Sequence, residues 1–379
     1  MCIQDSQSVN LAVESSAPNI HSAVSPTTAT TPKNPTPSRR CLLVETHMEN
    51  WENDSSFPLE SIDEEGTFEK QQTESPIFVP KLCYGEWAHI GERHYMEDTH
   101  ICINDLAQNF GLSLRSNGTV SFYGVFDGHG GTRAAEFVRD FLPKFIAEDA
   151  DFPVAIEKVV NRSFFSTDAA FAESCLDESS LSSGTTAITA LISGRSLLVA
   201  NVGDCRAVLS RRGSAVEMSK DHRPCCSAER TRVEAHGGYI VDGYLNGQLS
   251  VTRALGDWHL EGMKEKGGPL SAEPEMKVVT LSKEDEFLII GSDGLWDVFS
   301  SQNAVDYSRR RLQDHNDVNL CSKEMVEEAI RRGTTDNLTV VIVSFQDEPP
   351  PPYTAVQRPR IRRCLSAESL ENLRSVLQL

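Results

Sequence analysis

The chain has 379 residues, 39% of them hydrophobic, so a sizeable core can be buried. Its formal net charge of -19 argues against a nucleic-acid partner, which would need a basic face to neutralise phosphates. No apolar run approaches the roughly eighteen residues that span a bilayer, and the ten cysteines show neither CxxC nor Cys/His zinc spacing, as suits a reducing compartment.

Residues 1–75 hold 12 acidic and 4 basic side chains, a net of -8. Within them SAVSPTTATTPKNPTPSRR is rich in Pro, Thr and Ser, and ENDSSFPLESIDEEGTFEK is acidic with isolated apolar residues. Neither stretch buries enough surface to offset ordering its backbone, so a disordered tail is expected. The start lacks the charged and apolar segments of a secretory signal. Residues 15–38 have the Ser/Thr content of a transit peptide, but Asp5 and Glu14 are acidic where such peptides are acid-poor. A soluble protein of the cytoplasm and/or nucleus is expected. Ser/Thr-Pro dipeptides at Ser25, Thr31, Thr36 and Ser75 are candidate sites for kinases acting on this tail.

Folded patterning begins near Phe78 and is expected to occupy residues 76–346. Leu82 to Ile90 and Val120 to Phe126 read as strands. Thr132 to Glu148 has helical spacing, with Ala135, Val138, Phe141, Leu142 and Phe145 on one face. Val154 to Ser174 is a second helix, striped by Ile156, Val159, Val160, Phe164 and Phe171. Strands follow at Thr186–Ile192, Ser196–Val202 and Cys205–Ser210, with turn signals at Ser193-Gly194 and Gly203-Asp204 and a turn over Arg211–Ser214. A helix at Ala228–Ala235 leads into a polar, Gly-rich region up to Gly247. Further strands fit Lys277–Leu281, Phe287–Gly291 and Leu338–Phe345, and helices fit Gln302–Gln313 and Ser322–Arg332. Strands in runs and helices in pairs imply an α+β fold of stacked antiparallel sheets flanked by helices. Residues 347–379 open on a stiff spacer, Pro349–Pro352, and end in a basic tail with a weak amphipathic pattern over Ser366–Leu377.

Five acidic motifs are scattered along the folded part: RHYMED at Arg93–Asp98, DGHGG at Asp127–Gly131, GDCR at Gly203–Arg206, SDG at Ser292–Gly294 and TDN at Thr335–Asn337. All but RHYMED place an Asp at or near the end of a strand-like run. Asp293 and Asp336, each alone, read more readily as turn or capping residues than as ligands, and Asp127 alone reads equally as a structural Asp-Gly turn. Together, carboxylates gathered at strand ends without matching lysines call for divalent cations, and oxygen-only ligands point to Mg²⁺ or Mn²⁺. Asp127, Asp293 and Asp336 can share two cations whose charge keeps all three ionised. Such a pair lowers the pKa of a bridging water and clamps an in-line displacement at phosphorus. Glu97 and Asp98 add acid nearby. Arg93 offers a planar fork for phosphate, its alternative being a surface ion pair with Glu97. Gly128 and Gly130 let the backbone turn sharply and a carbonyl approach a metal, and His129 beside them is suited to protonating a leaving oxygen. Cys205 and Arg211 have the CxxxxxR spacing of cysteine phosphatases, but the intervening RAVLS is a strand pattern and not a phosphate-wrapping loop.

The series RxxxED, DGHGG, SGTTA, NVGDCRAV, DHRP, LSVTRALGD, SDGLWDV and TDNLTVVIV resembles the metal-dependent protein phosphatases of the 2C type over roughly Lys81 to Gln346, most of all their plant members. The resemblance implies a central β-sandwich with a helical layer on each side and the metals in a cleft at one end. It implies that Asp127, Asp293 and Asp336 bind one Mn²⁺ or Mg²⁺, and that Asp127 and the Gly128 carbonyl bind the other. Glu97 would reach the metals through water, and Asp204 with Asp293 would hold a weaker third. Arg93 would bind the substrate phosphate and His129 would be the general acid. The substrate would be phosphoserine or phosphothreonine in proteins, attacked directly by activated water without a covalent phosphoenzyme. Abscisic-acid co-receptors of the family carry a flap tryptophan. The corresponding stretch Gly237–Ala254 has Tyr239 and Tyr244 but no Trp, so binding of that hormone receptor is not expected. A monomer is expected. A phosphoprotein-binding scaffold and a small-molecule phosphohydrolase are the alternatives. Ser366, three residues after Arg363, has the spacing that basophilic kinases favour.

Overall fold

The computed structural model describes residues 78–112, 118–175, 182–264 and 267–352. The expectations for residues 1–75, for Ser366 and for the Ser366–Leu377 segment lie outside these. The described part is built on two five-stranded antiparallel sheets. One runs in the order Cys83–His89, Leu338–Ser344, Asp285–Gly291, Arg206–Arg211, Ser214–Glu217. The other runs Glu275–Thr280, Ser196–Val202, Ala187–Ser193, Val120–Phe126, Thr99–Ile103.

The period-two alternation of these strands sorts their side chains into three layers of core. Tyr123, Val125, Ile188, Val199, Leu288, Ile290, Val341 and Val343 pack between the sheets. The alternate residues Phe122, Phe126, Leu191 and Leu198 face outward under the helices Arg133–Glu148 and Ile156–Ser174. On the opposite side Phe287, Ile289, Val340 and Ile342 meet Val305, Met325 and Val326 of the helices Ser301–His315 and Val318–Arg331. Since both faces of each sheet are buried, central strands such as Val120–Phe126 are buried along their whole length and largely apolar. The result is the expected α+β sandwich with four layers, helix–sheet–sheet–helix. No helix of the described residues is long and apolar enough to cross a membrane.

Two strands of the five-stranded sheets escape the sequence pattern. Thr99–Ile103 is a half-buried edge strand without clear alternation, and Ser214–Glu217, expected to lie beyond a turn, pairs back on Arg206–Arg211 as a hairpin. The Gly-rich region before Gly247 contains a two-stranded flap, Ile240–Val241 with Tyr244–Leu245. Beneath the flap, Val233, Leu245, Val251, Ala254, Met263 and Leu270 form a small core of their own. The proline run is not a free spacer, because the carbonyls of Pro350 and Pro351 accept hydrogen bonds from Gln313 and that of Pro351 another from Arg309.

Candidate active site

The strands of both sheets end at one edge of the sandwich, and there the acidic motifs converge. Asp127 leaves Val120–Phe126, and its carbonyl accepts hydrogen bonds from the Thr186 N–H at 2.9 Å and the Thr185 hydroxyl at 3.0 Å. Asp204 follows Ser196–Val202, and Asp293 opens the short helix Asp293–Trp296 directly after Asp285–Gly291. One carboxylate oxygen from each of Asp127, Asp204 and Asp293 lies within 4.8 Å of the others. Asp336, from the turn before Leu338–Ser344, lines the same cleft of about 310 Å³, together with Arg93, Glu97, Gly128 and His129. All the site residues expected from sequence are thus brought together. Asp204, expected to serve only a weaker third metal, stands in the tightest acidic cluster.

The charges are unbalanced. Among the described residues, the guanidinium groups paired with Glu97, Asp98, Asp127, Asp204, Asp293 and Asp336 are those of Arg93 and Arg223. Arg93 Nη2 lies 2.7 Å from Asp336 Oδ2, so Arg93 pairs with Asp336 and not with Glu97. Arg223 reaches Asp204 at 2.9 Å, Asp293 at 3.2 Å and Asp297 at 3.4 Å. Burial, and then the neighbouring Asp98, Asp293, Asp204 and Asp336, hold the Asp127 carboxyl well above the usual range. Burial with Asp204 beside it pushes Asp293 up to about 7, although Arg223 opposes this. Burial also raises Asp98 to about 6 against the hydrogen bond from Ser292, and it raises Asp204 in spite of Arg223. Carboxylates that repel one another so strongly, with only oxygen to offer, fit hard divalent cations.

His129 lies at the cleft wall, its Nε2 donating to both oxygens of Asp257, at 3.0 and 2.9 Å. Burial alone would push the imidazole pKa down, but the Asp257 carboxylate, with Asp204 and Glu97 beyond it, outweighs burial and raises it. Two glycines make this corner possible. A Cβ on Gly128 would lie 2.5 Å from the Glu97 carbonyl, and one on Gly184 would lie 2.2 Å from Asp257 Oδ2 and 2.4 Å from His129 Nε2. Glu97 accepts from the Gly131 N–H at 2.6 Å. The RHYMED loop is held by Asn337, which accepts from the Glu97 N–H at 2.7 Å and donates to the carbonyls of Ile90 and Tyr95.

Asp257, Arg223, Gly184 and Asn337 are what sequence reasoning missed. They stood in the motifs ALGD, DHRP, SGTTA and TDN, but nothing in their spacing assigned them a partner. The thiol alternative fails on geometry. Cys205 is fully buried with its sulfur 3.1 Å from the Thr186 hydroxyl, burial pushes its pKa well up, and Arg211 is paired with Asp285 at 2.7 Å.

A family profile for "Protein phosphatase 2C" matches residues 84–338. The rice (Oryza sativa subsp. japonica) "Probable protein phosphatase 2C 27" is 62% identical over 328 residues, covering 86% of this chain and 93% of the rice protein. "Probable protein phosphatase 2C 22" of Arabidopsis thaliana is 55% identical over 322 residues, covering 84% of this chain and 81% of that protein. In fold the chain is similar to a crystal structure of serine-threonine phosphatase 2C from Toxoplasma gondii, with a TM-score of 0.59 at 21% identity, covering 71% of this chain and 98% of the other. With its motif series, sandwich and acidic cleft, this chain belongs to the protein phosphatase 2C family and is a metal-dependent serine/threonine protein phosphatase.

Proposed function

We propose that the cleft hydrolyses phosphoserine and phosphothreonine in protein substrates by direct attack of water, with two Mn²⁺ or Mg²⁺ ions per site. The observation that carries this is the convergence of Asp127, Asp204 and Asp293 within 4.8 Å, with Arg93 on the same cleft. Asp127, Asp293 and Asp336 would hold one ion, Asp127 and the Gly128 carbonyl the other, Glu97 would act through water, and Asp204 with Asp293 would take a weaker third. When bound, the ions supply Lewis-acid activation of water and offset the phosphate charge.

The chain's own residues do the rest. The Arg93 side chain is 59% exposed and poised to exchange the Asp336 carboxylate for a phosphate, which its fork can grip bidentately. His129, whose protonated form the Asp257 carboxylate favours, gives its proton to the departing serine or threonine oxygen, a poor leaving group unless protonated. Cys205 is sealed in the core and cannot take the phosphoryl group.

Cys83, Cys102, Cys205, Cys225, Cys226 and Cys321 form no disulfide, which supports the cytoplasm and/or nucleus as the location. Trp258 is bound into the fold by a 3.2 Å hydrogen bond to the Asp168 carbonyl and does not supply the missing flap tryptophan, which supports the reading that this chain does not bind the abscisic acid receptor.

The test is phosphate release from a phosphothreonine peptide with Mn²⁺, with Mg²⁺ and with excess chelator. Release should need metal, be lost in Asp127→Asn and survive in Cys205→Ser. Chelator-resistant release that needs Cys205 would overturn the reading.

A further inference from the structure

Asp168 lies on the helix Ile156–Ser174, is only 5% exposed and does not touch His129, yet three of its contacts converge on the segment that carries Asp257. Its Oδ1 accepts the Gly256 N–H at 2.7 Å. Its carboxylate is paired with Lys264 Nζ at 3.0 Å, and the same ammonium donates to the Ala254 carbonyl. Its own carbonyl accepts the Trp258 indole N–H at 3.2 Å, and Lys264 in turn lies 5.6 Å from the Trp258 ring centroid. Residues 254, 256 and 258 are thereby tied to one helical position.

The segment needs such a brace. Gly256 has φ +85 and Asp257 has φ +58, so two successive residues are left-handed, and the second is not glycine. Such a conformation persists only where its surroundings over-determine it. Gly256 also runs so close to the neighbouring chain that a Cβ there would lie 2.5 Å from the Ser183 carbonyl. In this strained turn the Asp257 side chain is fully buried and aimed at His129 Nε2. Lys264 and Asp168 have side chains only 5% and 8% exposed. A buried ion pair is weak evidence for stability on its own, and its best-attested use is to fix one arrangement.

We propose that Asp168, clamped by Lys264, is a positioning residue for proton donation: it sets the Gly256–Asp257 turn, which in turn orients His129. This rests on His129 being the proton donor.

The test compares a phosphothreonine peptide, whose alkoxide must be protonated to leave, with 4-nitrophenyl phosphate, whose leaving group needs little help. His129→Ala is the reference and should lose far more kcat on the peptide than on the aryl ester. Asp168→Ala should show the same split, about tenfold or more, with KM little changed. In ¹⁵N-histidine-labelled protein, the Nε2–H resonance of His129 should lose its protection from exchange. Equal losses on both substrates, or no loss, in a folded Asp168→Ala protein would overturn the inference. If His129→Ala itself shows no split, the proton-donor reading fails, and the positioning role with it. A split in His129→Ala alone removes only the positioning role. Should Asp168→Ala not fold, Lys264→Met, which frees the Ala254 carbonyl and leaves the Asp168 acceptor in place, decides by the same ratio: severalfold supports the inference and unity overturns it.

Discussion

At the scale of single residues, the site is a set of compromises between burial and charge. Asp293 ionises only near pH 7 in the metal-free fold, because burial and Asp204 disfavour its anion. A carboxyl whose folded pKa is raised binds its proton more tightly folded than unfolded. Its contribution is therefore present below the unfolded value of 3.8 and is lost as pH rises through about 7. Asp293→Asn should consequently stabilise the metal-free protein at pH 8, by about 1–3 kcal/mol, and the gain should vanish as pH falls towards 4. Thermal melting of both proteins in chelator, across that range, checks the sign. Gly128 is the opposite case, a residue whose absence of a side chain is its contribution. Gly128→Ala places a methyl against the Glu97 carbonyl and should cost about 1–3 kcal/mol, together with most of the activity. The Arg93–Asp336 pair is the third compromise. Each partner has a proposed ligand of its own, so substrate and metal would draw them apart. Arg93→Lys, which keeps charge but loses the fork, should raise KM for a phosphopeptide several-fold.

At the scale of elements, the strand ends do the gathering. Asp127, Asp204 and Asp293 each sit within two residues of a strand's last residue, where the chain leaves the sheet and side chains are released from the core. Those positions were legible because a buried strand is a continuous apolar run and the acidic residue interrupts it. The edge strand Thr99–Ile103 and the hairpin strand Ser214–Glu217 were not, since half-buried edges carry no firm alternation. Nor did the sequence reveal that the prolines after residue 348 lie along the helix Ser301–His315. Arg309, whose side chain is buried against Glu286 at 2.9 Å, also donates to the Pro351 carbonyl. Ending the chain at residue 346 removes that acceptor, and it should lower stability by about 1–2 kcal/mol relative to a chain ending at residue 352. The difference should appear as a lower midpoint in urea, with peptide turnover unchanged below the transition.

At the scale of the whole molecule, two sheets share one edge, and the acidic residues of both meet there. The uncompensated charge makes cation binding and folding mutually reinforcing. Millimolar Mg²⁺ should therefore raise the melting temperature of the wild-type protein by several degrees, and should do little for Asp127→Asn. The sequence by itself determined the sandwich, because alternating and continuous apolar runs leave few ways to bury so many strands. It also determined the family and the acidic residues, because these lie in short, local motifs. Only the tertiary structure decided who pairs with whom: Arg93 with Asp336, Arg223 with Asp204 and Asp293, and His129 with Asp257 braced from Asp168. These partners are 70 to 243 residues apart apart from Arg223 and Asp204. Pairing at such range is set by the packing of sheets and helices and by strained turns, and no periodicity or spacing in a linear chain records it.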